Sequence, residues 1–308
     1  MKINERPPTA VLLGAPATGR STLFLAMLAR CHSRRWSGAL APLLGPGAVH
    51  ARRLDADADR DTTDALLDAY LGWQRLDPTE REETEGYRLE LPYRAGWLGR
   101  ATGRFQLELW SRPRDDIERQ RAIRRAEVLF FALPLWAAFP SREVKPEDRA
   151  AARHHLDAFR RLVTDTLGLR ETVRPPRSIL VILTMADDAR CALVDLQDAW
   201  IHPVLDAPRR HLDRLRQPRH LLAYLHNARR VSDYLRTALT GHGAQTAHCV
   251  DQLDALGVRP SFLPVSAIEG RTLERAEAGL LTSDASPTPA HVELPLLLAL
   301  CAHSDALR

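Results

Sequence analysis

Lysine is nearly missing from this chain: Lys2 and Lys145 are the only two among 43 basic residues, which leaves 41 arginines. Against 39 acidic residues the formal net charge is +4, and the pI near 9.1 mostly restates how hard a guanidinium is to deprotonate. Basic and acidic residues alternate, as over residues 112–125, which is the pattern of solvated helix faces. No nucleic-acid partner is expected from it. Long apolar runs are also missing. The longest, residues 128–139, has twelve residues and is interrupted by Pro134, short of the roughly 20 that a membrane helix needs. The four cysteines, Cys31, Cys191, Cys249 and Cys301, form no C-x-x-C, so free thiols are expected rather than a zinc site or a disulfide framework. His154 and His155 are adjacent and would point about 100° apart on a helix, which excludes a chelating pair. Residues 1–8 lack the apolar core of a signal peptide, and a cytoplasmic location is the expectation.

What is present is an ordinary globular composition, 45% hydrophobic and 27% charged over 308 residues, with strands and helices in alternation. Residues 9–13 form a short apolar run that stops at Gly14, and residues 21–30 read as a helix. Residues 38–64 show little periodicity and read as a long connection, followed by a short helix over 65–76. Tyr87, Leu89 and Leu91, then Phe105, Leu107 and Leu109, alternate with polar neighbours, which predicts two paired strands joined over 92–103. Residues 127–133 and 178–183 read as strands buried on both faces, with a helix over 147–167 between them. The pattern is helical from 191 to 256, with breaks at Pro203, Pro208, Pro218 and Gly241-His242-Gly243. A last strand over 261–265 and a helix over 295–302 complete the order. Such alternation predicts a three-layer α/β fold with a mostly parallel sheet.

Gly14-Ala15-Pro16-Ala17-Thr18-Gly19-Arg20-Ser21 fits the Walker A pattern G-x-x-x-x-G-[KR]-[ST], with arginine in the lysine position. Glycines let the backbone curl so that successive N–H groups face a phosphate, and the following helix adds its positive end. Residues 14–22, Thr22 included, are therefore the candidate phosphate cradle, with Ser21 as the Mg²⁺ hydroxyl. Arg20 departs from the pattern. A planar guanidinium does not fill the space of a compact ammonium, so weakened hydrolysis is expected, and weakened binding with it.

The order of motifs resembles the Ras-like P-loop GTPases over most of residues 9–302. Thr184-Met185-Ala186-Asp187 stands where that family has [NT]-K-x-D, and the resemblance implies that Asp187 reads the guanine edge while Met185 covers the base. Phe262-Leu263-Pro264-Val265-Ser266-Ala267 looks like the segment that carries the family's Ser-Ala base contact. Thr79, after Pro78, sits where switch I keeps a Mg²⁺-binding threonine. The D-x-x-G of switch II is replaced by Trp110-Ser111-Arg112-Pro113. An indole accepts nothing from a metal-bound water and proline has no N–H to donate, so both functions are absent together. Asp115, Asp116 and Gln120 follow nearby, and no catalytic residue is assigned.

The resemblance implies one G-like domain over 1–308, with its core at 9–187 and 258–302 and a helical insertion at about 190–257. GTP or GDP with Mg²⁺ is the implied ligand. Residues 188–265 number 78 and, with the ending Pro295 to Leu300, look similar to the bacterial double-GTPase type found in conflict or signalling systems. That narrower likeness implies a companion protein, itself a GTPase in some such systems, with Arg112 and Arg114 as candidate arginine fingers. Three functions follow: a pseudo-GTPase subunit, a guanine-nucleotide switch with slow or partner-stimulated hydrolysis, and, least supported, a small-molecule P-loop kinase. For the insertion, a partner-binding face and simple internal packing both stand.

Overall fold

Buried strands set the architecture. The computed structural model describes residues 7–33, 44, 47–54, 61–71, 86–94, 102–110, 117–141, 144–186, 201, 204–205, 212–267, 274–275, 281–282 and 290–303. Strands β1 (Thr9–Gly14), β2 (His50–Arg53), β3 (Gly86–Arg94), β4 (Thr102–Trp110), β5 (Val128–Pro134), β6 (Ser178–Thr184) and β7 (Ser261–Pro264) form one sheet of order β2-β3-β4-β1-β5-β6-β7. β1 runs parallel to β4 and β5, and the parallel pairing continues through β6 to β7. Every residue of β1 and β5 is buried, as central parallel strands covered on both faces require.

The helices are α1 (Arg20–His32), α2 (Thr63–Leu71), α3 (Ile117–Arg125), α4 (Leu135–Ala138), α5 (Pro146–Arg170), α6 (Pro218–His242), α7 (Ala244–Asp254) and α8 (Glu293–His303). α1 contacts α2 and α8 in one layer, and α5 contacts α3 and α7 in the other. On α5 the apolar residues Leu156, Phe159 and Val163 recur at helical spacing and are buried, Phe159 meeting Phe131 of β5 edge-on at 6.0 Å. Among the described residues no helix is long and apolar enough to cross a membrane.

The expected antiparallel pair is β3 with β4, in register from Gly86↔Trp110 to Arg94↔Thr102. Its link is therefore residues 95–101, shorter than expected and outside the described residues. The connection expected to be irregular over 38–64 contains β2, an antiparallel edge strand on β3. Only Ala51 of its four residues is buried, so no alternation marks it in the sequence. Its edge is closed by the chain that follows: Thr62 N–H donates to Ala51 O at 2.9 Å, and Ala51 N–H donates to the Thr63 hydroxyl at 2.8 Å. α2 starts two residues earlier than the expected helix because Asp61 accepts from the Thr63 N–H at 2.9 Å. Hydrogen bonding from the Thr63 hydroxyl, above all, holds the Asp61 carboxyl down at about 2.

Over residues 212–256, Pro218 opens α6 instead of breaking a helix, since the first turn has no use for its missing N–H. Gly243 divides α6 from α7. Leu221, Tyr224, Ala228, Val231, Leu235 and Leu239 make a buried stripe on α6, which packs on β7, α7 and α8. That stripe is consumed by internal packing, the blander of the two readings. Tyr224 donates to the fully buried Glu293 at 2.8 Å, and Arg30 of α1 pairs with the same carboxylate at 3.4 Å. Ser232 of α6 takes the Phe262 N–H of β7 at 2.8 Å, which blunts the second sheet edge. Cys31, Cys249 and Cys301 are buried free thiols; burial pushes Cys31 and Cys301 up to about 12 and Cys249 to about 11, so they are unreactive. Cys191 lies outside the described residues.

Candidate functional site

At the carboxyl end of β1 the chain turns through residues 15–19 into α1. Gly19 has φ +73 and precedes the helix, and Ala17 takes φ +60 without being glycine. A Cβ on Gly14 would stand 2.7 Å from the Thr18 hydroxyl, so only glycine lets strand and loop approach this closely. Thr18 is 1% exposed and its hydroxyl donates to Ala15 O at 2.9 Å, which closes the loop on itself. Leu23 N–H to Gly19 O, 2.8 Å, is the first rung of α1. Residues 20–22 therefore lie ahead of the helical ladder, where N–H groups have no intrahelical acceptor, and no acidic side chain stands in that turn. Ser21 and Thr22 are half-buried there.

Arg20 does not extend out of the loop. Its Nη1 donates to Gly14 O at 2.7 Å, folding the guanidinium back across the segment it follows. This is the contact that the pattern G-x-x-x-x-G-[KR]-[ST] does not disclose.

The end of β6 meets the same loop. Thr184, at the end of β6, donates its hydroxyl to Thr18 O at 2.7 Å, clasping the loop from a strand 166 residues away. Met185 has φ +55, and its methyl lies 3.5 Å from where a Cβ on Gly19 would be. β6 and β7 stay tied beyond the sheet, with Val265 N–H to Leu183 O at 2.9 Å and Ala186 N–H to Val265 O at 3.2 Å. Ser266 exchanges two backbone bonds with Ala290, and the Tyr70 hydroxyl of α2 donates to Ala267 O at 2.8 Å. Burial raises the Tyr70 phenol to well above its ordinary value. The structure thus gathers Gly14, Ala15, Pro16, Ala17, Thr18, Gly19, Arg20, Ser21, Thr22, Thr184, Ser266 and Ala267 around the ends of β1, β6 and β7. Tyr70 was not legible as a neighbour of Ala267, since the two are 197 residues apart. Asp187 and Thr79 lie outside the described residues.

The end of β4 is different. Trp110, in the place of the D-x-x-G carboxylate, is 5% exposed and donates its indole N–H to Glu108 at 3.2 Å. Glu108 is fully buried and accepts from Arg88 and Arg125, both at 2.9 Å. Among the described residues the strand end is therefore a side-chain cluster. Of the two expected Mg²⁺ donors, Ser21 lies among the described residues and Thr79 does not, and one hydroxyl is a poor fit to an ion that demands six oxygens. Residues 111–116 lie outside the described residues. Gln120 of α3 lines a cavity of about 700 Å³ that also touches Gly14, Pro16 and Arg20.

No protein-family model matches the sequence, and no curated protein matches it. Among solved structures, the chain is similar to one described as the signal recognition particle receptor SRb-GTP/SRX complex from Chaetomium thermophilum, at 11% identity and a TM-score of 0.38, over 87% of this chain and 94% of that one. It is also similar to the GTPase-like domain of Ski7 from S. cerevisiae, bound to GTP, at 12% identity and a TM-score of 0.35. That match takes in 98% of this chain and 51% of the other, so the chain spans about half the length of that relative. The strand order stands by itself: β3-β4-β1-β5-β6-β7, with the phosphate loop after β1 and the Thr-Met-Ala and Ser-Ala segments after β6 and β7. This is a three-layer α/β fold with a mostly parallel sheet and a strand–turn–helix at the phosphate-loop pattern, extended at one edge by β2.

Proposed function

We propose that this chain is a degenerate GTPase-like subunit, one G-like domain with an inserted helical segment, which regulates or scaffolds a companion protein, with weak or absent GTP hydrolysis. The observation that carries the reading is the bond from Arg20 to Gly14 O. The side chain that would neutralise a transferring phosphate is engaged with its own loop, while Trp110 is turned toward Glu108. The backbone cradle is kept, so guanine nucleotide binds weakly, with Asp187 reading the base and Ser266 and Ala267 beside it. Mg²⁺ adds little, because Ser21 and Thr79 are hydroxyls and Trp110 stands at the position of the D-x-x-G carboxylate. A dissociation constant of about 10 µM, some 7 kcal/mol, is the expected scale for such a site.

The test is a titration of the full chain with a fluorescent N-methylanthraniloyl GDP, with and without EDTA, beside a single-turnover GTP assay. Saturable binding, changed less than about threefold by EDTA, with no phosphate release above buffer, is the expected result. Measurable turnover would move the chain to the second reading, a nucleotide switch with slow or partner-stimulated hydrolysis, which the intact clasp of Thr184 on Thr18 favours. The double-GTPase likeness supports a GTPase as the companion, and a pull-down with the chain as bait tests it.

A further inference from the structure

The cavity beside the phosphate loop lies between α3 and α5, and its volume of about 700 Å³ falls in the range of small-molecule sites. Ile123, Leu162 and Leu169 give it an apolar lining that continues into the core. Arg20, Arg119 and Arg161 line it, and Asp165 is the one carboxylate among the described lining residues. Three guanidiniums to one acid make the local field positive, and planar guanidiniums match the oxygens of a carboxylate, sulfonate or phosphate.

The walls are held apart by a separate device. Arg170, 6% exposed at the end of α5, donates from Nη1 to Ile123 O at 2.6 Å and Ala126 O at 2.9 Å, at the carboxyl end of α3. A buried guanidinium with several carbonyl partners fixes the spacing of the two helices, so the cavity does not close by a slide of one along the other. Preformed apolar space of this size next to surplus positive charge is suited to a ligand with an apolar body and one anionic group.

We infer that the cavity is a binding site for an anionic amphiphile, a small aromatic or acyl molecule carrying one acidic group, with Arg161 and Arg119 at the acid and Leu162 and Leu169 on the body. The site goes beyond the nucleotide reading and does not depend on it. Because Gly14, Pro16 and Arg20 belong to both, occupancy of the cavity bears on the phosphate loop, which gives a small molecule access to the state of the site.

The probe is 8-anilinonaphthalene-1-sulfonate, compared with N-phenyl-1-naphthylamine, which has the same arene body without the sulfonate. On the full chain the sulfonate binds saturably at one site and about tenfold tighter than the amine, the worth of one charge-assisted contact. Arg161→Glu, at an exposed position outside the phosphate loop, abolishes that difference, and Leu162→Trp fills the cavity and removes both. Equal affinity for the two probes in the wild-type chain overturns the inference. So does unchanged sulfonate binding in Leu162→Trp; where that variant melts early, Arg161→Glu decides. Loss of the probe result with nucleotide binding intact removes only this inference, and the reverse removes only the nucleotide reading.

Discussion

The end of β1 and the end of β4 are neighbours in one sheet, yet one is built from backbone and the other from side chains. After β1 the site is made of backbone: a left-handed Gly19, a close approach at Gly14, and carbonyls that accept from Thr18, Arg20 and Thr184. After β4 it is made of side chains, and there Trp110, Glu108, Arg88 and Arg125 have formed a buried ionic cluster. A cradle of N–H groups tolerates side-chain exchange, because almost any residue supplies the same donors. A carboxylate that must hold a metal tolerates none.

The largest test of this contrast is Glu108→Ala. If the end of β4 is structural, the change strands two arginines and an indole N–H, and should cost about 3 kcal/mol in urea unfolding, at the low end for a broken buried pair because Arg88 and Arg125 reach solvent. Nucleotide affinity should move little. A loss of affinity greater than the loss of stability would place Glu108 in the binding machinery and end the contrast.

Thr184→Val is next. The substitution preserves shape while leaving Thr18 O, in a buried segment, without its hydroxyl donor, at a cost of about 1–2 kcal/mol. Here binding should fall together with stability, since the loop itself is released. Unchanged N-methylanthraniloyl GDP affinity would show that the clasp holds β6 and not the cradle.

Arg20→Lys separates the two strand ends directly. A lysine frees Gly14 O and restores a compact charge, so nucleotide affinity should rise about tenfold, 1.4 kcal/mol. Hydrolysis should stay at background, because Trp110 is unchanged. Restored GTP turnover in this single variant would mean that the end of β4 was never the obstacle.

Much of this was legible in the sequence, and the rest was hidden for physical reasons. Residues 127–133 and 178–183 could be read as buried strands because continuous apolar runs have few other uses, and the placing of Gly14 and Gly19 after an apolar run announced the strand, turn and helix found over residues 9–32. β2 could not be read: His50-Ala51-Arg52-Arg53 is held by edge pairing and by Thr62 and Thr63, and carries one buried residue. The α6 stripe was readable as amphipathic, but its partner, β7, was not, since periodicity gives a face and never what covers it. Contacts such as Tyr70 to Ala267 join segments whose pairing only the folded chain decides.

The smallest expected effect bears on how firmly the cradle is built. Ala17 stands at φ +60, where an L-residue pays about 1–2 kcal/mol relative to its right-handed form. The surrounding bonds hold it there: Thr18 to Ala15 O, Arg20 to Gly14 O and Thr184 to Thr18 O fix the residues on either side. Ala17→Gly removes the steric strain but adds unfolded-state entropy of about 0.5–1 kcal/mol. The balance is a gain of about 0.5 kcal/mol, or roughly 1–2 °C in thermal melting for a chain of this size. Ala17 is exposed, so no packing is lost in the exchange. Destabilisation by glycine would mean that residue 17 leaves the left-handed region in solution, and that the bonds of Thr18, Arg20 and Thr184 do not hold the loop's backbone.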